Sequence, residues 1–172
     1  MTKQMDPKLV DVPTFAMAGT PLLCTETLAQ FPRLAAEVLA GEPSVQWSVA
    51  GELRDAAGQA QAPWLHVQAQ TQLPMQCQNC LEMVQVDLQM DRWFRFVKDE
   101  ASALREDETS EEDVLVLSDR FDLRSLVEDE LLMALPMVAR HDKCTTDAGA
   151  SQGASQLPVP DHPFAVLAAW KH

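Results

Sequence analysis

Two stretches in the middle of the chain alternate apolar and polar residues with period two. Over Trp64–Leu73, the residues Leu65, Val67, Ala69, Thr71 and Leu73 face one way, and Trp64, His66, Gln68, Gln70 and Gln72 face the other. From Val84 to Phe96, the residues Val84, Val86, Leu88, Met90, Phe94 and Phe96 share one face, with Gln85, Asp87, Gln89, Asp91 and Arg95 opposite. Ser44–Leu53 repeats the pattern through Val45, Trp47 and Val49, and Val114–Leu117 is a shorter strand. These segments predict strands with one face buried and one wet. Asp55–Pro63 reads as a hairpin loop, and Pro74 as the end of the second long strand.

Helical spacing appears on both sides of this block. Leu28, Phe31, Leu34, Ala35 and Val38 predict a helix opened by Thr25 or Thr27, with Pro32 in its early part, and stopped by Gly41. Asp122 caps a second helix, with Phe121 and Leu126 at staple positions. Its buried stripe is Leu123, Leu126, Val127, Leu131 and Ala134, and Pro136 ends it. Glu128, Asp129 and Glu130 cannot all be exposed on one side of that helix, so at least one is expected to pair with a base or meet a partner. Lys8–Phe15 predicts a first strand, and Asp99–Asp113 an acidic loop. The order gives an α+β fold, an antiparallel sheet with helices packed on one face and a flexible C-terminal tail. We divide the chain into a single α+β domain over 1–144, a linker over 145–160 rich in Ala, Gly, Ser, Gln and Pro, and a short amphipathic segment over 161–172.

At 172 residues with 47% hydrophobic content, the chain can build one real core. Its net charge of -13 repels phosphate and suits basic protein partners. Between Asp99 and Glu130 stand thirteen acids against the three bases Arg105, Arg120 and Arg124. No stretch reaches the roughly twenty apolar residues of a membrane span, and the N-terminus reads as no signal peptide. Localisation in the cytoplasm is expected.

Cysteine spacing adds chemistry. Cys77-Gln-Asn-Cys80 is matched by His141-Asp-Lys-Cys144, two short pairs that can close a tetrahedral Zn²⁺ site. Redox use is disfavoured, because a catalytic CxxC sits at a helix N-terminus and here a strand follows. The bland alternative is two reduced cysteines shaping a turn and a free Cys144. The acids Glu106, Asp107, Glu108, Glu111 and Glu112 form a candidate docking surface for a basic protein. They do not read as a nuclease centre, which needs rigidly converging carboxylates. Arg92, Arg95 and Lys98, with Trp93, Phe94 and Phe96 between them, form the alternative, a small stacking-plus-charge strip for RNA. No catalytic constellation appears, so a protein that is not an enzyme is expected.

The chain resembles the YceD family, named for large ribosomal RNA subunit accumulation. The resemblance rests on Leu73-Pro-Met-Gln-Cys-Gln-Asn-Cys-Leu81, Phe121-Asp-Leu, Leu126-Val-Glu-Asp-Glu-Leu-Leu-Met-Ala-Leu-Pro136, His141, Cys144, and Pro163-Phe-Ala-Val-Leu167 with Lys171. The order of these motifs is more specific than any one of them. Asn79 stands where the family often has Arg, and His162 where it usually has Asn. The resemblance implies a ribosome biogenesis factor promoting synthesis, processing or accumulation of large-subunit rRNA, makes a basic ribosomal protein or assembly factor the expected partner of the acidic surface, and carries over no catalytic residues. Direct rRNA binding is the alternative reading, and a zinc-dependent or redox enzyme ranks last.

Overall fold

The computed structural model describes residues 6–39, 41–55, 61–107, 110 and 112–144. The proposed linker 145–160 and segment 161–172 lie outside the described residues, as do Glu108 and Glu111. The elements run α1 (Val12–Ala18), β1 (Leu22–Thr27), a 3₁₀ turn (Leu28–Gln30), α2 (Pro32–Ala35), β2 (Ser44–Arg54), β3 (Ala62–Gln76), β4 (Met83–Val97), α3 (Glu100–Asp107), β5 (Asp113–Val116) and α4 (Leu123–Met133). The chain divides after His141 into a large unit and a small one, and of the small one only Asp142, Lys143 and Cys144 are described.

The sheet has five strands in the order β1-β2-β3-β4-β5. The first four form an antiparallel meander, and β5 pairs with β4 in parallel. The fold is α+β, as the alternation predicts. Leu65, Val67, Ala69, Thr71 and Leu73 are all buried, and so are Val84, Leu88, Met90, Phe94 and Phe96. Together with Val45, Trp47 and Val49 they form the sheet's half of the core. Val12 and Phe15 of α1, Leu34 of α2, and Leu123, Val127 and Leu131 of α4 supply the other half. The close approach of α1 depends on Gly51, where an added Cβ would stand 2.8 Å from Ala16 Cα.

Several local expectations give way to tertiary context. Within Lys8–Phe15 only Val10 bridges, to Phe121, because Asp11 accepts a hydrogen bond from Thr14 N and starts α1, with Pro13 in the first turn. The helix expected from Thr25 to Gly41 is instead strand β1, a 3₁₀ turn and the short α2. Leu28, Phe31 and Leu34 are indeed buried, but two tight turns also give that spacing, and Pro32 has no N–H to continue a helix from before it. β3 continues through Pro74, which is tolerated because the β2 ladder has already ended at Gln70. The acidic loop contains α3, capped by the Asp99 carboxylate on Ser102 N at 2.8 Å and anchored by buried Ala103. β5 runs parallel because α3 carries the chain back along the sheet. On α4, Ala134 is exposed, just past the last helical turn.

Candidate metal centre and charged surfaces

The β3–β4 connection is a tight turn built around the two cysteines. Leu81 N donates to Cys77 O at 2.9 Å, and Cys77 N to Glu82 O at 2.8 Å. Leu81 closes the turn with φ of 65°, a left-handed conformation that a non-glycine residue adopts at a cost. Gln78 N donates to Ala139 O at 2.9 Å, which ties the turn to the segment following α4. That tie brings His141 to the cysteines.

The histidine is oriented for coordination. Its Nε2 lies 3.0 Å from Met83 O. A carbonyl oxygen can only accept, so Nε2 carries the proton and Nδ1 presents its lone pair. Nδ1 lies 3.4 Å from Cys80 Sγ. A tetrahedral zinc with ordinary Zn–S and Zn–N bonds would set that edge at roughly 3.6 Å. Cys77 is buried, and Cys80, His141 and Cys144 are half-buried. The ligand atoms of Cys77, Cys80 and His141 all lie within 4.8 Å of one another. These residues can hold a metal ion, and Cys144 is the fourth ligand that the spacing predicts. Three thiols and one imidazole are a soft set that favours Zn²⁺ over oxygen-seeking cations.

The two partner-binding candidates meet in one ion pair, Arg95 with Glu106, and Arg92 is held by other acids. Arg92 pairs with Asp113 at 3.0 Å and Glu130 at 3.2 Å. Arg95 pairs with Glu106 at 2.7 Å and bonds Ser110 Oγ at 2.7 Å. Lys98 is exposed and Glu112 is exposed. Asp107 ends α3, and Glu108 and Glu111 lie outside the described residues. Phe94 and Phe96 are core residues, so the expected stacking strip reduces to Trp93. Its ring is stacked on His66 at 4.3 Å and covered by the Arg54 guanidinium at 3.9 Å. Both contacts take up ring surface that a stacked base would need.

The acidic run in α4 is tied inward. The Glu128 carboxylate accepts from Arg33 N at 2.7 Å and Leu34 N at 3.2 Å, capping α2, and from the Arg33 guanidinium. Asp129 meets the same arginine, and Glu130 meets Arg92. Glu26, half-buried on β1, holds Arg124 and Trp47 Nε1. The sequence reading found none of these partners, nor Arg54 and Arg33.

The fold and the cluster define a small α+β protein with a Cys/His metal-binding geometry and a net charge of -13. Over residues 65–171 the chain matches the family described as Large ribosomal RNA subunit accumulation protein YceD. It belongs to the YceD family, whose name implies a role in accumulation of large-subunit ribosomal RNA. No curated protein and no solved structure matches the chain. Among the described residues, no helix is long and apolar enough to cross a membrane.

Proposed function

We propose that this protein is a non-enzymatic assembly factor that supports accumulation of large-subunit rRNA by docking on a basic protein of the early large-subunit particle, in the cytoplasm. The observation that carries this reading is the internal pairing of the basic strip. Arg92 and Arg95 are held by Asp113, Glu130 and Glu106, so their charge is spent before any phosphate arrives. A net charge of -13 then repels an RNA backbone and attracts basic protein, raising the association rate and suppressing wrong contacts. A structural Zn²⁺ at Cys77, Cys80, His141 and Cys144 would fix the Cys turn against the segment after α4. Family membership supplies the process, and charge supplies the kind of partner.

Direct rRNA binding through Arg92, Arg95 and Lys98 is the second reading, and the two differ in sign. The test reverses Asp107, Glu108, Glu111 and Glu112, sparing Glu106 because it holds Arg95. Tagged wild type and variant are crosslinked in cells, and RNA and protein partners are both identified. We expect the variant to lose a basic ribosomal partner, with added salt mimicking the loss on wild type. A variant that keeps every ribosomal partner refutes acidic docking, and one that also binds RNA more tightly supports the second reading.

A further inference from the structure

The free edge of the sheet lies in a groove. β1 is bonded on one side only, to β2, and among the described residues nothing pairs with its other side. Exposed edges are usually blunted by lysine, proline, a bulge or a cover, since their free N–H and C=O groups invite another strand. Leu22–Thr27 contains no lysine, proline or bulge, its one charge, Glu26, is held by Arg124 and Trp47, and Leu23 is 78% exposed. The opposite edge differs: β5 has four residues, begins at Asp113 and follows exposed Glu112.

Along β1 runs a cavity of about 1010 Å³. One wall is β1 itself, and the other is the exposed side of α1 with the residues before it. Phe15 and Leu22 give it an apolar floor, while Asp6, Asp11 and Glu26 carry charge against the single guanidinium of Arg124. Glu26 is already engaged by Arg124 and Trp47, so Asp6 and Asp11 carry the remaining charge at the rim. The Asp11 carboxylate accepts a hydrogen bond from Thr14 N, which favours its ionised form.

We propose that β1 and this groove receive an extended segment of a partner protein, added as a further strand, with alternating apolar and basic side chains. The free edge dictates an extended backbone, and the period of two places one set of side chains over Phe15 and Leu22. The acidic rim selects lysine or arginine. A second copy of this chain is a poor occupant, because each copy brings a net charge of -13. The surface deepens the docking reading above, on which it rests only for the identity of the partner.

The test uses the full chain and a short synthetic peptide of alternating valine and lysine. Two control peptides replace lysine by glutamate, or methylate alternate backbone amides. Binding is read by fluorescence anisotropy, and its position by hydrogen exchange. We expect the valine–lysine peptide to bind and to slow exchange across Leu22–Thr27, and both controls to bind at least about tenfold more weakly. Leu23→Lys should weaken binding comparably, with an unchanged thermal unfolding transition showing that the fold is intact. Because Leu23 projects into solvent, that variant leaves the core alone. Equal binding of the methylated peptide would overturn the proposal, since attraction would then be charge alone. Protection elsewhere than Leu22–Thr27, or a wild-type dimer abolished by Leu23→Lys, would also overturn it. Loss of peptide binding with retained pre-ribosomal association removes the groove and leaves the functional reading standing. The reverse outcome keeps the groove and removes that reading.

Discussion

Replacement of Glu128 should be among the more costly changes to a charged residue, although it touches no candidate partner site. Its side chain is 7% exposed and its carboxylate accepts from two backbone amides at the start of α2, while the side chain of its partner Arg33 is 51% exposed. Glu128→Ala leaves these groups in unequal positions. The Arg33 guanidinium can return to water and keeps Asp129, so the ion pair itself is worth under about 1 kcal/mol. Leu34 is fully buried, and its N–H would lose its acceptor, at a cost of about 1–3 kcal/mol. The lost cap adds about 1 kcal/mol. The sum is roughly 2–4 kcal/mol, a large share of a domain's margin. Glu128→Gln retains an oxygen for the amides and loses only the charge, so it should cost about half as much or less. Urea unfolding with a common slope measures both differences. If the two variants were equally destabilised, the ion pair and not the cap would be the source. If Glu128→Ala cost under about 0.5 kcal/mol, the cap would contribute nothing.

Three further outcomes are expected. Leu131→Ala, at a fully buried position facing the sheet, should cost about 2–5 kcal/mol and lower cellular abundance together with rRNA level, and unchanged stability would refute the inward face of α4. Burial pushes the Glu130 carboxyl above its ordinary value, against the pull of Arg92 and with Asp113 and Asp129 adding to the rise. A raised folded value favours the fold most below the unfolded carboxyl range of about 4.3 and loses that contribution as pH rises through it. Glu130→Gln should therefore gain on wild type as pH rises from acid to neutral, measured by urea midpoints, and the opposite slope would refute it. Purified protein should carry about one zinc per chain, and chelation or Cys77→Ser should speed exchange at Gln78 N–H, whose acceptor is Ala139 O. Metal-free protein with unchanged exchange would remove the site.

The parts of this fold that were legible in the sequence are those whose pattern is made locally. β3 and β4 are half-buried strands, and period-two alternation records that directly, down to which face of Leu65–Leu73 lies inside. α4 announced itself through Asp122, which caps it by accepting from Ser125 N. The cysteine spacing showed which residues could meet. It could not show that Met83 O orients His141, because that contact is made across 58 positions. α3 was missed for a similar reason. Its local apolar content is slight, and it is pinned by Arg95 on β4 through Glu106. The spacing of Leu28, Phe31 and Leu34 misled because three buried positions fit one long helix or two short turns equally well.

Charge shows the limit most clearly. Composition alone yields -13 and an expected attraction for basic partners, but it treats every carboxylate alike. The structure separates them. Glu26, Glu128, Glu130 and Glu106 are spent on Arg124, Arg33, Arg92 and Arg95. The Glu128–Asp129–Glu130 run carried a readable sign that some of it must pair, since three successive helical positions cannot all point to solvent on one side. Its partners stand on α2 and β4, far away in sequence. A charge-reversal experiment guided by sequence alone would include Glu106, and it would report the loss of a structural ion pair as loss of binding. Sparing Glu106, and changing Glu112 and the acids beside it, is what allows the experiment to measure docking.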